Sequence, residues 1–231
     1  MDFISEILKR KKIRKIFGNN LLAFISGGAA LNYNSGMFFT SLGIKILQGY
    51  GQTECSPIIS VNPINKIKID TVGGPICGTT VKLSKNNEIL VKGPSVMKGY
   101  WKDNLSTMKA IKKGWLHTGD LGKIDKDHYI TIIGRKNEMI VNSGGENISP
   151  VPIEELMTSF DEIDQAMVYG HGKPYLVALV FPSLGTKEKK RKIASIIDIL
   201  NSKLSVEKKI RKFYLLKKPF SIESHELTPT L

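Results

Sequence analysis

The chain has 231 residues, of which 41% are hydrophobic and 24% are charged. This composition is that of a globular protein large enough to bury a core, and it excludes a disordered chain. Its two cysteines, Cys55 and Cys77, are too few for a disulfide framework or a zinc cluster. No run reaches the roughly 18 apolar residues of a membrane span, so we predict a cytoplasmic protein.

The net charge of +13 is confined to two segments. Residues 1–20 carry six Lys or Arg against two acidic residues, and residues 187–218 carry twelve against three. The glycine-rich motifs lie outside both segments, which argues against a nucleic-acid groove. Solvated helix faces are the first interpretation of the basic runs. Peripheral contact with an anionic membrane surface is the second, and nucleic-acid binding is the third.

The first quarter of the chain alternates apolar runs with glycine turns. Residues 4–17 have the spacing of an amphipathic helix. Residues 21–26 predict a strand buried on both faces and lead directly into Gly27-Gly28. Residues 44–47 predict a second strand, which the turn at residues 48–54 follows. Because ligands collect beyond the carboxyl ends of strands in open α/β sheets, the two turns predict one crevice. Tight turns without a ligand are the alternative.

The second turn carries three chemically useful side chains. Tyr50, Thr53 and Glu54 place an aromatic ring, a hydroxyl and a carboxylate within five residues. They suit a purine face, a phosphate oxygen and a magnesium ion, since hard cations take carboxylate oxygens. A capped turn with a buried tyrosine is the alternative.

Residues 72–133 predict the short strands and turns of a small β-subdomain or barrel. Thr79–Leu83 is expected to pair with Glu88–Val91 across two asparagines, and Asp103 or Asn104 is expected to cap a brief helix. The turn at Gly114–Asp120 then presents a carboxylate. A carboxylate accepts two hydroxyl hydrogen bonds at once and so suits a ribose diol. An aspartate that closes its own turn is the alternative.

A charged joint at residues 134–147 leads into a second, smaller α/β unit. Pro150 and Pro152 predict the start of a helix. Residues 166–169 and 175–181 are apolar enough for strands. Isoleucines and leucines between Ile193 and Leu204 keep helical spacing, which predicts core packing beneath the basic run.

Five motifs, taken in order and spacing, resemble the adenylate-forming (AMP-binding) superfamily. They are Ser26-Gly27-Gly28-Ala29, Tyr50-Gly51-Gln52-Thr53-Glu54, Thr118-Gly119-Asp120, Gly134-Arg135 and Ser143-Gly144-Gly145-Glu146-Asn147. The segment 226–231 is most similar to long-chain fatty acid-CoA ligases. The resemblance implies an α/β fold. Residues 1–136 would be the C-terminal part of the large adenylate-forming domain, an α/β sheet plus a small β-subdomain, and residues 137–231 a small, mobile α/β C-terminal domain.

The resemblance also implies an activity and a site. Members activate a fatty acid to acyl-CoA through an acyl-adenylate, with ATP, Mg²⁺ and coenzyme A as ligands. By resemblance, Tyr50 stacks on adenine, Thr53 bonds the α-phosphate and Glu54 holds Mg²⁺. The remaining implied contacts are bare backbone at Gly27, Gly28 and Gly51, ribose ligands at Asp120 and Arg135, a hinge at Asn137, and a coenzyme A-side loop at Gly144 and Gly145.

Departures from the superfamily pattern limit these expectations. The hinge position is usually Asp or Lys and is Asn137 here, and His128 stands at a common turn glycine. The phosphate loop is expected upstream of residue 1 and the catalytic Lys after Leu231, so a partial ligase, truncated at both ends and weak alone, is predicted. The alternatives are half of a split enzyme whose phosphate loop is on a separate chain, a non-catalytic adenylate binder, and a basic membrane- or nucleic-acid-binding module.

Overall fold

The computed structural model describes residues 12–13, 15–18, 20–183 and 188–227. The chain divides into two compact α/β units, Met1–Lys136 and Asn137–Leu231. The predicted N-terminal helix falls mostly outside the described residues, although residues 12–13 and 15–16 are helical and Gly18 turns the chain with φ +75°. Within the described ranges, no helix has the length and apolar character needed to cross a membrane.

The first unit opens with a four-stranded sheet in the order β1-β2-β3-β4. Its strands are β1 (Phe24–Ser26), β2 (Ile46–Gly51), β3 (Ile58–Val61) and β4 (Gly74–Pro75). Helix α1 (Tyr33–Ser41) connects β1 to β2 and is capped by Asn32, whose Oδ1 accepts the Ser35 N–H. β1 and β2 are parallel, so their carboxyl ends meet at one edge of the sheet.

The predictions for β1 and β2 need correction. β1 is shorter than predicted, whereas β2 starts at Ile46 and continues through Tyr50 to Gly51. A Cβ on Gly51 would lie 1.8 Å from the Pro57 carbonyl oxygen, and the pairing register shifts between Tyr50 and Gly51. Glycine lets the strand continue where β3 approaches this closely. The turn proper is the short 3₁₀ segment Thr53–Cys55.

A five-stranded antiparallel sheet completes the first unit and agrees with the predicted β-subdomain. Its strands are β5 (Thr80–Leu83), β6 (Glu88–Lys92), β7 (Ile111–Lys112), β8 (Trp115–Ile124) and β9 (Ile130–Arg135). Asn87 turns the β5–β6 hairpin with φ 60°. Asp103 caps helix α2 (Asn104–Ala110) and accepts the Ser106 N–H at 2.9 Å. β8 pairs with β6, β7 and β9 and is the central strand of this sheet.

One apolar cluster joins the two sheets of the first unit. Its buried members are Cys55, Ile59, Val72, Ile89, Val91, Leu116 and Ile130. Tyr50 packs against this cluster. A shared core therefore fixes the distance between the end of β2 and the middle of β8.

The second unit is a three-stranded sheet with helices packed on one face. Its strands are β12 (Ile163–Tyr169), β13 (Leu176–Pro182) and β14 (Ile210–Leu215), its helices are α3 (Val151–Thr158) and α4 (Lys189–Lys203), and a hairpin of β10 (Ile140–Val141) and β11 (Asn147–Ile148) precedes them. The predicted spacing in α4 is confirmed, because Ile193, Ile196, Ile197 and Leu200 are buried in the core. The basic residues at the start of α4 are exposed on the helix surface.

Candidate adenylate site

The two glycine segments lie side by side at the edge where β1 and β2 end. A Cβ on Gly27 would be 3.5 Å from the Gly49 carbonyl oxygen, which is ordinary contact with β2. Gly28 has φ +86°, and none of the described residues comes within 4 Å of the place its Cβ would occupy. Gly28 is thus bare backbone facing open space, which a phosphate or a flat ring can approach.

Tyr50, Asp120 and Arg135 form one polar cluster. The Tyr50 hydroxyl donates a hydrogen bond to Asp120 Oδ2 at 2.5 Å, and Arg135 Nε lies 3.2 Å from Asp120 Oδ1. Asp120 and Arg135 face each other directly across β8 and β9, whereas Tyr50 comes from the other sheet. Asp120 is 7% exposed, whereas the Arg135 side chain is 56% exposed.

This cluster has the donors and acceptors that a vicinal diol needs. Burial and the neighbouring Asp120 carboxylate raise the pKa of Tyr50 far above its ordinary value, so the phenol stays protonated and remains a donor. Asp120 supplies acceptor oxygens, and the exposed Arg135 guanidinium supplies further donors. A ligand with two adjacent hydroxyls can therefore bond to both charged groups.

A β-bulge in β8 directs Asp120 into the cluster. Leu90 pairs with His117 and Glu88 pairs with Leu121, so residues 118–120 of β8 stand opposite one residue of β6. Thr118 Oγ1 accepts the Asp120 N–H at 3.1 Å and donates to a β6 carbonyl at 2.8 Å. The sequence predicts a glycine turn here, and the structure instead has a bulged strand. Bulges commonly reorient a side chain next to a site.

Thr53 and Glu54 lie on the 3₁₀ segment that follows β2. Thr53 is exposed and Glu54 is half-buried. The Tyr100 hydroxyl donates to Glu54 Oε1 at 2.8 Å. Tyr100 carries no signal in the sequence, because it is an exposed tyrosine that lies 46 residues beyond Glu54.

Glu54 fits the donor set of a magnesium ion in part. Carboxylate oxygen is the ligand that Mg²⁺ prefers, and Mg²⁺ is usually held by one or two carboxylates together with substrate phosphates. Among the described residues, no group of three or more His, Cys, Asp or Glu is placed to hold a metal ion. Glu54 therefore suits an ion that arrives with a phosphorylated ligand rather than one in a complete protein cage.

The other predicted residues lie outside this cluster. Gly144 and Gly145 are in the loop between β10 and β11, where Asn142 Oδ1 accepts the Gly144 N–H at 2.9 Å. Gly145 has φ +81°. Asn137 is exposed in the 3₁₀ segment Lys136–Glu138, at the boundary of the two units. Their implied roles as coenzyme A loop and hinge stay predictions.

Two protein-family models match this chain. The model of the AMP-binding enzyme matches residues 3–101, and the model of the AMP-binding enzyme C-terminal domain matches residues 137–225. The long-chain-fatty-acid–CoA ligase FadD15 of Mycobacterium bovis is 35% identical, over 96% of this chain and 40% of the ligase. Mouse long-chain-fatty-acid–CoA ligase ACSBG2 is 29% identical, over 95% of this chain and 40% of its own length.

Solved structures agree on the fold. The o-succinylbenzoate CoA synthetase of Bacillus subtilis, in complex with its acyl-adenylate intermediate, superposes with a TM-score of 0.78 at 22% identity, covering 94% of this chain and 48% of the synthetase. The AMP complex of that enzyme has a TM-score of 0.74 at 25% identity, covering 86% and 43%. The chain spans 40% of the length of both ligases that it matches in sequence.

Proposed function

This chain belongs to the AMP-binding enzyme family, and from that premise we propose that it binds the adenylate intermediate of a fatty acid–CoA ligase reaction. In this reaction a carboxylate attacks the α-phosphate of ATP, pyrophosphate leaves, and the acyl group then passes to the thiol of coenzyme A. The observation that carries the proposal is the cluster of Tyr50, Asp120 and Arg135, at the sheet edge where Gly28 is open.

The adenosine part of the ligand is assigned to this cluster. Asp120 and Arg135 bind the two ribose hydroxyls, because together they offer acceptors and donors at one point. The Tyr50 ring stacks on adenine, and the bond from its hydroxyl to Asp120 fixes the ring before the ligand arrives. Gly28 leaves the backbone bare beside it, whereas the Cβ positions of Gly27 and Gly51 face the carbonyl oxygens of Gly49 and Pro57.

The phosphate end of the ligand is assigned to the 3₁₀ segment. The exposed Thr53 hydroxyl donates to an α-phosphate oxygen, and Glu54 holds Mg²⁺ together with phosphate oxygens. The bound ion supplies charge neutralisation for the phosphates. The protein contributes position, with Tyr100 fixing one oxygen of Glu54.

The two units are assigned different tasks. Residues 1–136 bind the nucleotide. Residues 137–231 turn about Asn137 and bring Gly144 and Gly145 toward coenzyme A. Two facts support the division: the chain separates into compact units between Lys136 and Asn137, and the second family model begins at residue 137. The 35% identity to FadD15 supports a long-chain acyl group.

A further segment that carries the phosphate loop is the partner that we propose for full activity. Leu22, just before β1, is 80% exposed, Ile25 in β1 is 78% exposed, and Phe38 on α1 is 59% exposed. Parallel strands of this apolar composition are normally covered on both faces. The exposed surface thus supports a further segment that packs on β1 and α1. Without such a partner, we expect a non-catalytic adenylate binder.

Isothermal titration calorimetry with a non-hydrolysable acyl-sulfamoyl adenosine tests adenylate binding. The 231-residue chain is expected to bind it, Asp120→Ala is expected to lose binding, and Asp70→Asn, an exposed charge in the same unit, is expected to behave as wild type. Absence of binding heat at any concentration would remove the proposal. The chain alone is expected to show little fatty acid-dependent ATP–pyrophosphate exchange, and robust exchange would contradict the need for a partner.

A further inference from the structure

Glu88 is a buried carboxylate outside the proposed ligand contacts. It is 7% exposed, and a glutamate this buried needs partners to be stable. Three donors surround it. Gly119 N lies 3.2 Å from Oε1, and His117 Nδ1 and Lys136 Nζ lie 3.2 Å and 3.5 Å from Oε2.

The Gly119 N–H needs an acceptor because of the bulge in β8. Where three residues of one strand stand opposite a single residue of its neighbour, the extra residues lose their ladder partners. Gly119, with φ +75°, is the middle residue of the bulge. A buried backbone N–H without an acceptor destabilises the fold. The Glu88 carboxylate avoids this loss of stability because it accepts a hydrogen bond from the Gly119 N–H.

The β5–β6 hairpin fixes the position of this carboxylate. The Glu88 N–H donates to Ser84 Oγ at 3.1 Å, and the Glu88 carbonyl accepts the Ser84 N–H at 2.8 Å. The Gly122 N–H donates to the Asn87 carbonyl at 2.9 Å and closes the bulge on its far side. The hairpin therefore fixes the position of Glu88, and the Glu88 carboxylate in turn stabilises the bulge in β8.

Both proposed ribose ligands have a neighbour in the chain that is bound to Glu88. Gly119 precedes Asp120, and Lys136 follows Arg135. We propose that Glu88 is the positioning residue of the ribose site, which holds Asp120 and Arg135 in register by anchoring the residue next to each. This inference rests on the proposed adenylate-binding function.

Two substitutions separate the Gly119 bond of Glu88 from its bonds to His117 and Lys136. Glu88→Ala removes the acceptor for all three donors. Glu88→Gln keeps an amide oxygen for Gly119, but it loses the charge and places an NH2 donor where His117 and Lys136 need an acceptor. Glu88→Ala is expected to weaken binding of the acyl-sulfamoyl adenosine about tenfold, the loss typical of one hydrogen bond to a charged group. Glu88→Gln is expected to recover part of that loss, and Asp70→Asn to show none.

Amide hydrogen exchange of the ligand-free protein gives a readout that does not depend on adenylate. Glu88→Ala is expected to speed exchange at Gly119 about tenfold or more, Glu88→Gln is expected to preserve protection, and β12–β13 amides in the second unit report the intact fold. A folded Glu88→Ala variant with wild-type Gly119 exchange and wild-type affinity overturns the inference. If the wild type binds no analogue, the proposed function fails, while the exchange comparison still tests the anchoring by Glu88.

A double-mutant cycle covers the case in which Glu88→Ala does not fold. Glu88→Gln and Lys136→Met are each expected to weaken analogue binding a few-fold, and their double variant is expected to be no weaker than the worse single variant, because both break the same pair. Additive losses contradict the anchoring of Lys136 by Glu88.

Discussion

Asp120 joins the two sheets of the first unit through a polar bond. Its oxygens contact Tyr50 from β2 and Arg135 from β9, and its own strand is bulged to allow both. A buried carboxylate is destabilising when it loses a donor. The side chains that suit a ribose therefore also contribute to the stability of the ligand-free protein.

Removing the Tyr50 hydroxyl tests this contribution. Tyr50→Phe leaves the Asp120 carboxylate with one donor fewer and is expected to lower the free energy of unfolding by about 1.5–3 kcal/mol, the range for hydrogen bonds to charged groups. Urea denaturation measures the change. Tyr33→Phe, on a ring that is 57% exposed, is the matched control and is expected to have no effect. Equal free energies of unfolding for Tyr50→Phe and Tyr33→Phe would mean that the Tyr50–Asp120 hydrogen bond does not contribute to the stability of the fold.

Glu88 gives the protein a defined response to acid. Burial pushes the pKa of Glu88 up, but the His117 hydrogen bond and the Lys136 charge outweigh it, and the pKa lies below the ordinary 4.5. A lowered pKa stabilises the fold above the ordinary value, and this stabilisation is lost as pH falls through the folded value. The stability gap between wild type and Glu88→Gln is therefore expected to shrink between pH 5 and pH 3, as urea denaturation at each pH would measure. A gap that stays constant below pH 4.5 would contradict a lowered pKa of Glu88.

At the scale of elements, the glycines differ in what they permit. Gly51 allows β3 to approach β2, whereas Gly28 and Gly43 both have positive φ and open space where a Cβ would be. Alanine at either open position pays a similar backbone cost of about 1–2 kcal/mol. Only Gly28 lies at the proposed ligand edge.

Gly28→Ala and Gly43→Ala therefore form a matched pair. Both are expected to lose similar stability in urea denaturation, and only Gly28→Ala is expected to weaken acyl-sulfamoyl adenosine binding in calorimetry, because its Cβ occupies the ligand's approach. Equal affinities for the two variants would place the adenylate away from Gly28.

The β8–β9 connection holds His128 with φ 64°, a conformation that suits glycine. His128→Gly is expected to raise the free energy of unfolding by up to about 1 kcal/mol, and His128→Val is expected to lower it, because a β-branched residue is strongly disfavoured at positive φ. Thermal denaturation of the two variants gives the comparison. A stabilising His128→Val would show that strain at this turn is unimportant.

Local patterns predicted the elements that depend on local sequence. The helical spacing of α4, the Asp103 cap and the β5–β6 hairpin with its asparagine turn are all correct, because each is determined within a few residues. The extent of β2 and the bulge in β8 were missed. Both depend on the strand that pairs with them, on the close approach of β3 in one case and on the mismatch with β6 in the other.

Some residues of the candidate site could likewise be predicted from local sequence, and others could not. Glycine and carboxylate motifs pointed to Tyr50 and Asp120, the superfamily resemblance added Arg135, and the structure brings these three together. Glu88 and Tyr100 carried no signal, because a glutamate that begins a strand and an exposed tyrosine are ordinary in sequence. Their importance follows only from the partners that the fold gives them.

At the scale of the whole molecule, one group of exposed apolar residues lies at the start of the described chain. Leu22 and Ile25 are 80% and 78% exposed, and Tyr33 and Phe38 on α1 are more than half exposed. Exposed apolar strand edges promote pairing with other chains. The isolated chain should therefore self-associate through this surface unless a partner covers it.

A charged substitution in β1 tests whether the chain self-associates through this surface. Ile25→Lys is expected to shift the protein toward monomer in sedimentation velocity, because it places a charge on the strand edge, whereas Ile199→Lys, at a 49% exposed position of α4, is expected to leave association unchanged. A wild-type chain that stays monomeric at high concentration would show that the exposed apolar residues of β1 and α1 do not drive self-association.

The consecutive ion pairs of Arg135 and Lys136 set a limit on motion at the joint. Twisting the backbone at either residue would separate a pair, Arg135 from Asp120 or Lys136 from Glu88. In the proposed hinge role, Asn137 is the first residue beyond both ion pairs. A rotation of the second unit about Asn137 would then leave both pairs intact.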